Sequence, residues 1–243
     1  MILANVRRHL TRDDAQLVLR LVGRGSSREA ADAESTLRDH GIDTLLDDRR
    51  TLEGLVRTPL GARASWPLFS YVVVRHALRA QGEEDRTLSD YVASILVHFG
   101  LRDRARRVAG SDDEVYDTVA ALLEDSEHGD PRRTFLVRAH LGNYALWLAG
   151  CFPDFIEQRR WRRGGPDLGY YDEMGRRGFR MAADHRLSAE HGLTGLFTAV
   201  ADHYGALRLA LNAVSDTLLF PHVHTPERLM RQVRDASRWR LAS

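Results

Sequence analysis

Apolar residues recur at spacings of three and four along almost the whole sequence, a pattern that places them on one face of a helix. We find no segment with the strict alternation and hairpin turns typical of a β-sheet. The 243 residues, 43% hydrophobic and 28% charged, can fill one large globular core. The sequence therefore predicts an all-α protein, a single-domain bundle of about nine or ten helices.

Capping signals support this helical interpretation. Ser26 with Glu29, and Ser111 with Glu114, have the spacing of a capping box. Thr225 precedes a proline that can occupy the first position of a helix. The predicted helices are Asp13–Val22, Ser27–Asp39, Trp66–Ala80, Leu88–Phe99, Asp112–Asp125, Arg132–Gly150, Leu168–Arg186, Leu193–Phe220 and Glu227–Trp239.

The first quarter of the sequence is more polar than the rest, and its predicted helices are shorter. Pro59 and Gly61 then precede an apolar helix around Phe69–Val74. Two organisations follow: one domain over residues 1–243, or a small N-terminal lobe at 1–62 followed by a main bundle at 63–243.

The expected location is the cytoplasm. Cys151 is the only cysteine of the sequence, so no disulfide can form within the chain. Residues Met1–Leu10 lack the apolar core of a signal peptide. The most apolar stretch, Phe135–Ile156, contains charged residues that are costly in hydrocarbon. We therefore expect a soluble protein without a membrane span.

The formal net charge is only +1, from 35 basic and 34 acidic residues, so no global field attracts nucleic acid. All the basic residues are arginine, as is common in bacterial proteins from G+C-rich genomes. The first two predicted helices have the lengths of a helix-turn-helix. Acidic residues on the second, including Glu29, Asp32 and Glu34, would repel phosphates, so a nucleic-acid partner is not expected.

Three histidines are predicted to face the core when each helix is projected at 3.6 residues per turn. They are His140, His185 and His203, on three successive long helices. Converging imidazoles could hold one metal ion, as they do in other helical bundles. The alternative, which we favour, is three separate core histidines that are each hydrogen bonded.

A haem site is a further alternative. Gly175, Gly178 and Ala182 share a predicted helix face with His185, which could serve as an axial ligand to a flat cofactor. Close packing of another helix explains the same small residues, and we favour it. A ferritin-like di-iron site is excluded, because the neighbouring carboxylates do not share a helix face with these histidines.

Two arginine clusters stand out. One is Arg159, Arg160, Arg162 and Arg163 around Trp161, a combination that could hold phosphates and stack a base. For both clusters we favour a solvated face, or an interface with the acidic run at 112–130 of a second copy, which predicts self-association. The second cluster lies on the last helix and comprises Arg228, Arg231, Arg234, Arg238 and Arg240.

The leading functional hypothesis is a non-catalytic helical binding or adaptor protein that self-associates. Cys151 lies at an apolar helix end, where a thiol is normally inert, and no phosphate loop, nucleophile elbow or zinc-protease motif is present. No cofactor is expected under this hypothesis. The alternative is an all-α enzyme or sensor with a metal or haem on the three histidines, and the third is a polyanion-binding protein that uses the arginines.

Overall fold

The structure is a computed structural model that describes residues 1–101, 104–109, 114–127 and 129–242, with side chains as far as 235. Within these ranges the protein is all-helical, with 76% of residues in helices, fourteen α-helices and no strand. The all-α class is confirmed. The predicted count of nine or ten helices is wrong, because short helices follow several of the long ones.

The chain divides into two compact units, Ile2–His98 and Phe99–Ser243, with Met1 grouped with the second. Apart from Met1, the predicted lobe at 1–62 lies within the first unit, and its status as a domain remains a prediction. The first unit contains α1 (Arg12–Val22), α2 (Ser27–His40), α3 (Ile42–Leu46), α4 (Arg49–Arg57), α5 (Trp66–Arg79) and most of α6 (Arg86–Phe99).

Side-chain caps begin α1, α2, α4 and α5 in the first unit. The Thr11 hydroxyl accepts a hydrogen bond from the Asp14 amide at 3.2 Å, and the Asp14 carboxylate accepts one from the Thr11 amide at 2.9 Å. Together they form a full capping box on α1. At α2 the Ser26 hydroxyl accepts the Glu29 amide as predicted. The Glu29 carboxylate instead accepts the amide of Gly25, so only half of the predicted box forms.

The second unit is built around α8 (Pro131–Cys151), which packs against the helices at Val119–Asp125, Leu168–Ala183 and Tyr204–Val214. Thr225 caps the last helix by accepting the Arg228 amide at 3.1 Å, as predicted. The predicted capping box at Ser111 lies outside the described residues. The other helices are α7 (Val119–Asp125), α9 (Pro153–Arg163), α10 (Leu168–Ala183), α11 (Arg186–Glu190), α12 (Thr194–Asp202), α13 (Tyr204–Val214) and α14 (Pro226–Ala242).

Helices α8 and α10 approach each other closely through glycine. A methyl group added at Gly178 would lie 2.6 Å from the backbone nitrogen of Gly142. A methyl group at Gly142 would in turn lie 2.8 Å from the ring of Phe179. Gly178 and Ala182 are both buried. The predicted explanation of the small-residue stripe by close helix packing is therefore confirmed.

Two predicted long helices are interrupted. The helix predicted over Leu168–Arg186 ends at Ala183, and His185 adopts an extended backbone that begins α11. The helix predicted over Leu193–Phe220 breaks at His203, which ends α12 and precedes α13. Residues Ser215–Leu219 then form a short π-helix. Each break rotates the following residues away from the face that a continuous helix would give them.

Candidate binding cleft

The three histidines proposed as metal ligands occupy three different environments. His140 is buried at 4% exposure, and its Nε2 lies 3.0 Å from the Ala105 carbonyl oxygen. His185 is partly exposed, and its Nδ1 accepts the Leu187 amide at 3.2 Å as the cap of α11. His203 is exposed. The prediction that His185 and His203 face the core is wrong, because neither residue lies in the helix on which it was projected.

His140 is a neutral core histidine. Burial, aided by the positive charge of Arg104, lowers the pKa of His140 to about 3. A carbonyl oxygen only accepts hydrogen bonds, so the proton of the neutral ring is on Nε2, which donates to Ala105. The part of the chain that the structure describes contains no group of three His, Cys, Asp or Glu side chains arranged to hold a metal ion. The structure therefore does not bring the proposed ligands together.

The first arginine cluster lies on α9. Arg159, Arg160, Arg162 and Arg163 are all exposed, and Trp161 is 71% exposed. The Arg160 guanidinium lies 5.7 Å from the centre of the Trp161 ring, a cation–π contact. This cluster is a solvent-facing surface, as the sequence allowed.

The second arginine cluster is different, because two of its members are buried. Arg231 is 1% exposed and donates to Asp216 at 2.7 Å and to Asp154 at 3.2 Å. Arg228 is 4% exposed and donates to Asp154 at 2.7 Å. Two cations therefore meet two carboxylates inside the second unit. The prediction that this cluster forms a solvated face or an intermolecular interface is wrong for these two arginines. Arg238 and Arg240 lie outside the residues with described side chains.

Beside this ion-pair network lies a cavity of about 460 Å³, which we name the aromatic cleft. Its walls come from α9, from the segment that follows the π-helix and from the first turn of α14. Apolar groups dominate the lining, and its charged residues are Asp154, Arg162 and Glu227. The apolar lining residues are Phe152, Pro153, Phe155, Trp161, Phe220, Val223 and Pro226.

Hydrogen bonds from buried polar groups fix the walls of the aromatic cleft. Arg228 donates to the Phe220 carbonyl oxygen at 2.8 Å, which ties the wall containing Phe220 to α14. The Ser215 hydroxyl donates to the Cys151 carbonyl oxygen at 2.7 Å. Asn212 donates to the carbonyl oxygens at the end of α8. The bonds from Ser215 and Asn212 satisfy carbonyl oxygens at the C-terminal end of α8, which have no partner inside that helix.

Three polar groups of the cleft, Cys151, Ser215 and Asp154, are held in states unsuited to nucleophilic or general-base chemistry. Burial raises the pKa of the Cys151 thiol to about 12, so it remains protonated at neutral pH. The Ser215 hydroxyl donates its hydrogen bond to the Cys151 carbonyl oxygen. The Asp154 carboxylate is paired with two guanidinium groups. The arrangement is suited to binding by shape and apolar contact.

Sequence reasoning identified Trp161 and Arg162 but missed Phe155, Phe220 and Asp154. Proline at position 153 does signal the start of α9, and the spacing of Arg228 and Arg231 does put both on one helix face. Their acidic partners lie outside α14: Asp154 precedes Arg231 by 77 residues and Asp216 precedes it by 15. The helical periodicity of α14 therefore could not predict that these arginines pair with Asp154 and Asp216.

Comparison with protein-family models, with curated proteins and with solved structures finds no match to this chain. Within the described ranges, none of the helices combines the length and the apolar character that crossing a bilayer requires.

Proposed function

We propose that this chain is a non-catalytic binding protein that holds an apolar segment of a partner protein in its aromatic cleft. The observation that carries the proposal is Trp161, whose side chain is 71% exposed beside the cleft. Leaving a large aromatic ring in water is unfavourable, and tryptophan is a residue type that dominates binding energy at protein interfaces.

The exposure of the lining favours a macromolecular ligand over a small molecule. A cavity of about 460 Å³ has the size of a small-molecule site, and such sites normally enclose most of the ligand's surface. Here Phe155 is 55% exposed and Phe220 is 37% exposed, in addition to Trp161. A small molecule would leave much of these rings in water. A partner surface that inserts one side chain and covers the surrounding rings would bury them all.

Charge indicates which segments fit best. Arg162 lines the cleft from an exposed position on α9, next to further exposed arginines. Asp154 is paired with the buried arginines of α14, so its charge is already balanced. Glu227 also lines the cleft, but the exposed arginines of α9 make the rim on their side positive. An apolar or aromatic side chain flanked by acidic residues would therefore match the lining and the α9 side of the rim.

The test is selection of peptides from a random display library on the purified protein, followed by affinity measurement. We expect selected peptides to combine aromatic or aliphatic residues with acidic ones. Trp161→Ala should weaken their binding by about thirtyfold or more, as for an interface hot spot. Trp66→Ala is the matched control, because Trp66 is also exposed but belongs to the first unit.

Two results would overturn the proposal: enrichment of no peptide, or equal affinity of the selected peptides for the protein with and without Trp161. Self-association remains part of the proposal as a separate property, and sedimentation velocity over a concentration series measures it. A sedimentation coefficient independent of concentration, at the value of a single chain, would remove it.

A second candidate is polyanion binding by the four exposed arginines of α9 with Trp161. Contacts with phosphates release counterions, so the affinity for oligonucleotides would fall steeply with salt. Absence of binding to single-stranded and duplex oligonucleotides at low ionic strength would eliminate this candidate.

A further inference from the structure

A second cavity of about 310 Å³ lies in the same unit, among α7, α8, α9 and the start of α10. We name it the tyrosine cavity, because Tyr144, Tyr170 and Tyr171 all line it. Its volume is at the lower end of the range for small-molecule sites. Its lining is separate from that of the aromatic cleft except for Phe155, which belongs to both.

Two phenol groups in this cavity are available as hydrogen-bond donors. Tyr144 is 5% exposed and Tyr171 is 8% exposed, so both rings are held in the protein. Among the residues that the structure describes, neither hydroxyl is hydrogen bonded to a protein group. Burial raises the pKa of Tyr144 and of Tyr171, so both phenols keep their protons at neutral pH.

One guanidinium group lines the cavity with the phenols. Arg159 belongs to the lining and lies within electrostatic reach of both Tyr144 and Tyr171. The acidic residue of the lining is Asp117, which is ion-paired with Arg106. The positive charge of Arg159 is therefore not cancelled by an acidic partner within the cavity lining.

The remaining walls are apolar. Leu148 projects from α8, Ile156 from α9 and Val119 from α7, and Pro166 lines the cavity from the segment before α10. A ligand must therefore present an apolar body to these side chains. It must also present hydrogen-bond acceptors and a negative charge to the phenols and the guanidinium group, because arginine can only donate.

We propose that the tyrosine cavity binds a small organic carboxylate with an apolar, preferably aromatic, body. The carboxylate accepts hydrogen bonds from Arg159 and from the hydroxyls of Tyr144 and Tyr171, while the body packs against the aliphatic walls. One guanidinium balances the single charge of a carboxylate. Inorganic phosphate, with more charge and no apolar body, fits the same walls less well.

The test is isothermal titration calorimetry of the full chain with benzoate as the probe. Benzamide, which has nearly the same shape without the charge, and inorganic phosphate serve as comparison ligands. We expect benzoate to bind with one site per chain, and benzamide and phosphate to bind at least about tenfold more weakly.

Arg159→Gln and Tyr144→Phe should each weaken benzoate binding by about tenfold or more, because the first removes the positive charge that faces the carboxylate and the second removes a hydrogen-bond donor. Tyr171→Phe repeats the test from a different helix, in case one variant fails to fold. Arg163→Gln is the matched control, since Arg163 is exposed on the same helix but does not line the cavity.

The proposal is overturned if benzoate does not bind the wild-type chain, if benzamide binds as tightly, or if folded donor variants bind benzoate as the wild type does. Failure here is distinguishable from failure of the proposed function. Trp161→Ala should leave benzoate binding unchanged, because Trp161 does not line the tyrosine cavity.

Discussion

The close approach of α8 and α10 can be tested by adding a single methyl group. In Gly178→Ala the new carbon would lie 2.6 Å from the backbone nitrogen of Gly142 and 3.0 Å from the carbonyl oxygen of Arg138. Both are main-chain atoms of α8, so no side-chain rotation relieves the overlap. One of the two helices must move, and overpacking of this kind costs about 1–3 kcal/mol.

Helix propensity acts in the opposite direction. Alanine is about 1 kcal/mol more favourable than glycine inside a helix, so propensity alone predicts that Gly178→Ala is stabilising. Because the overlap involves backbone atoms, we expect a cost near the upper end of the overpacking range. The free energy of unfolding should therefore fall by about 2 kcal/mol, measured from urea denaturation followed by circular dichroism.

The matched control is Gly195→Ala on α12. Gly195 is exposed and helical, and an added methyl group would meet no atom within 4 Å. This variant should be neutral or more stable by up to about 1 kcal/mol. Equal effects of the two substitutions, or stabilisation by Gly178→Ala, would refute the close contact of α8 with α10.

Two further predictions concern buried charge and buried histidine. Arg231→Met leaves Asp154 and Asp216 with one guanidinium in place of two, so unfolding free energy should fall by about 3 kcal/mol. Arg186→Met, at the exposed ion pair of Arg186 with Glu190, should cost no more than about 1 kcal/mol in the same denaturation assay, and equal costs would contradict the network. The folded-state pKa of His140, about 3, lies below its ordinary value of 6.5, so the unfolded state binds the proton more readily on acidification. The stability that this contributes is present above pH 6.5 and is lost progressively towards pH 3, by about 2 kcal/mol at pH 5. Denaturation of His140→Gln at pH 7 and pH 5 should lack that part of the acid dependence, and an unchanged pH dependence would show that His140 does not titrate as a buried group.

The helical class could be predicted because it depends on local periodicity, which every long helix displays. The helices α1, α2, α5, α6 and α8 begin and end within about two residues of the predicted positions. The short helices α3, α4, α9 and α11 were missed. A helix of one to three turns has few periodic positions, and tertiary packing supplies most of its stability.

The orientation of single residues could not be predicted as well. A projection places His203 on a face only if the helix is continuous as far as that residue, and the break there sets a new phase for α13. Burial of Arg231 was equally inaccessible, because it depends on Asp154 and Asp216 from other segments. The aromatic cleft was inaccessible for the same reason, because Phe155 on α9 and Phe220 after the π-helix come from separate segments.

Helix α9 connects the two proposals, because it forms a wall of both cavities. The arginine cluster that looked like one patch in the sequence is divided between them, with Arg162 lining the aromatic cleft and Arg159 lining the tyrosine cavity. Phe155 lines both cavities, so truncating its side chain would enlarge both. A change in binding in such a variant could not be attributed to one cavity. Trp161 and Arg159 each line one cavity only. Variants at these two positions therefore separate peptide binding from carboxylate binding on a single helix, and a substitution that abolished both would indicate that α9 itself had been displaced.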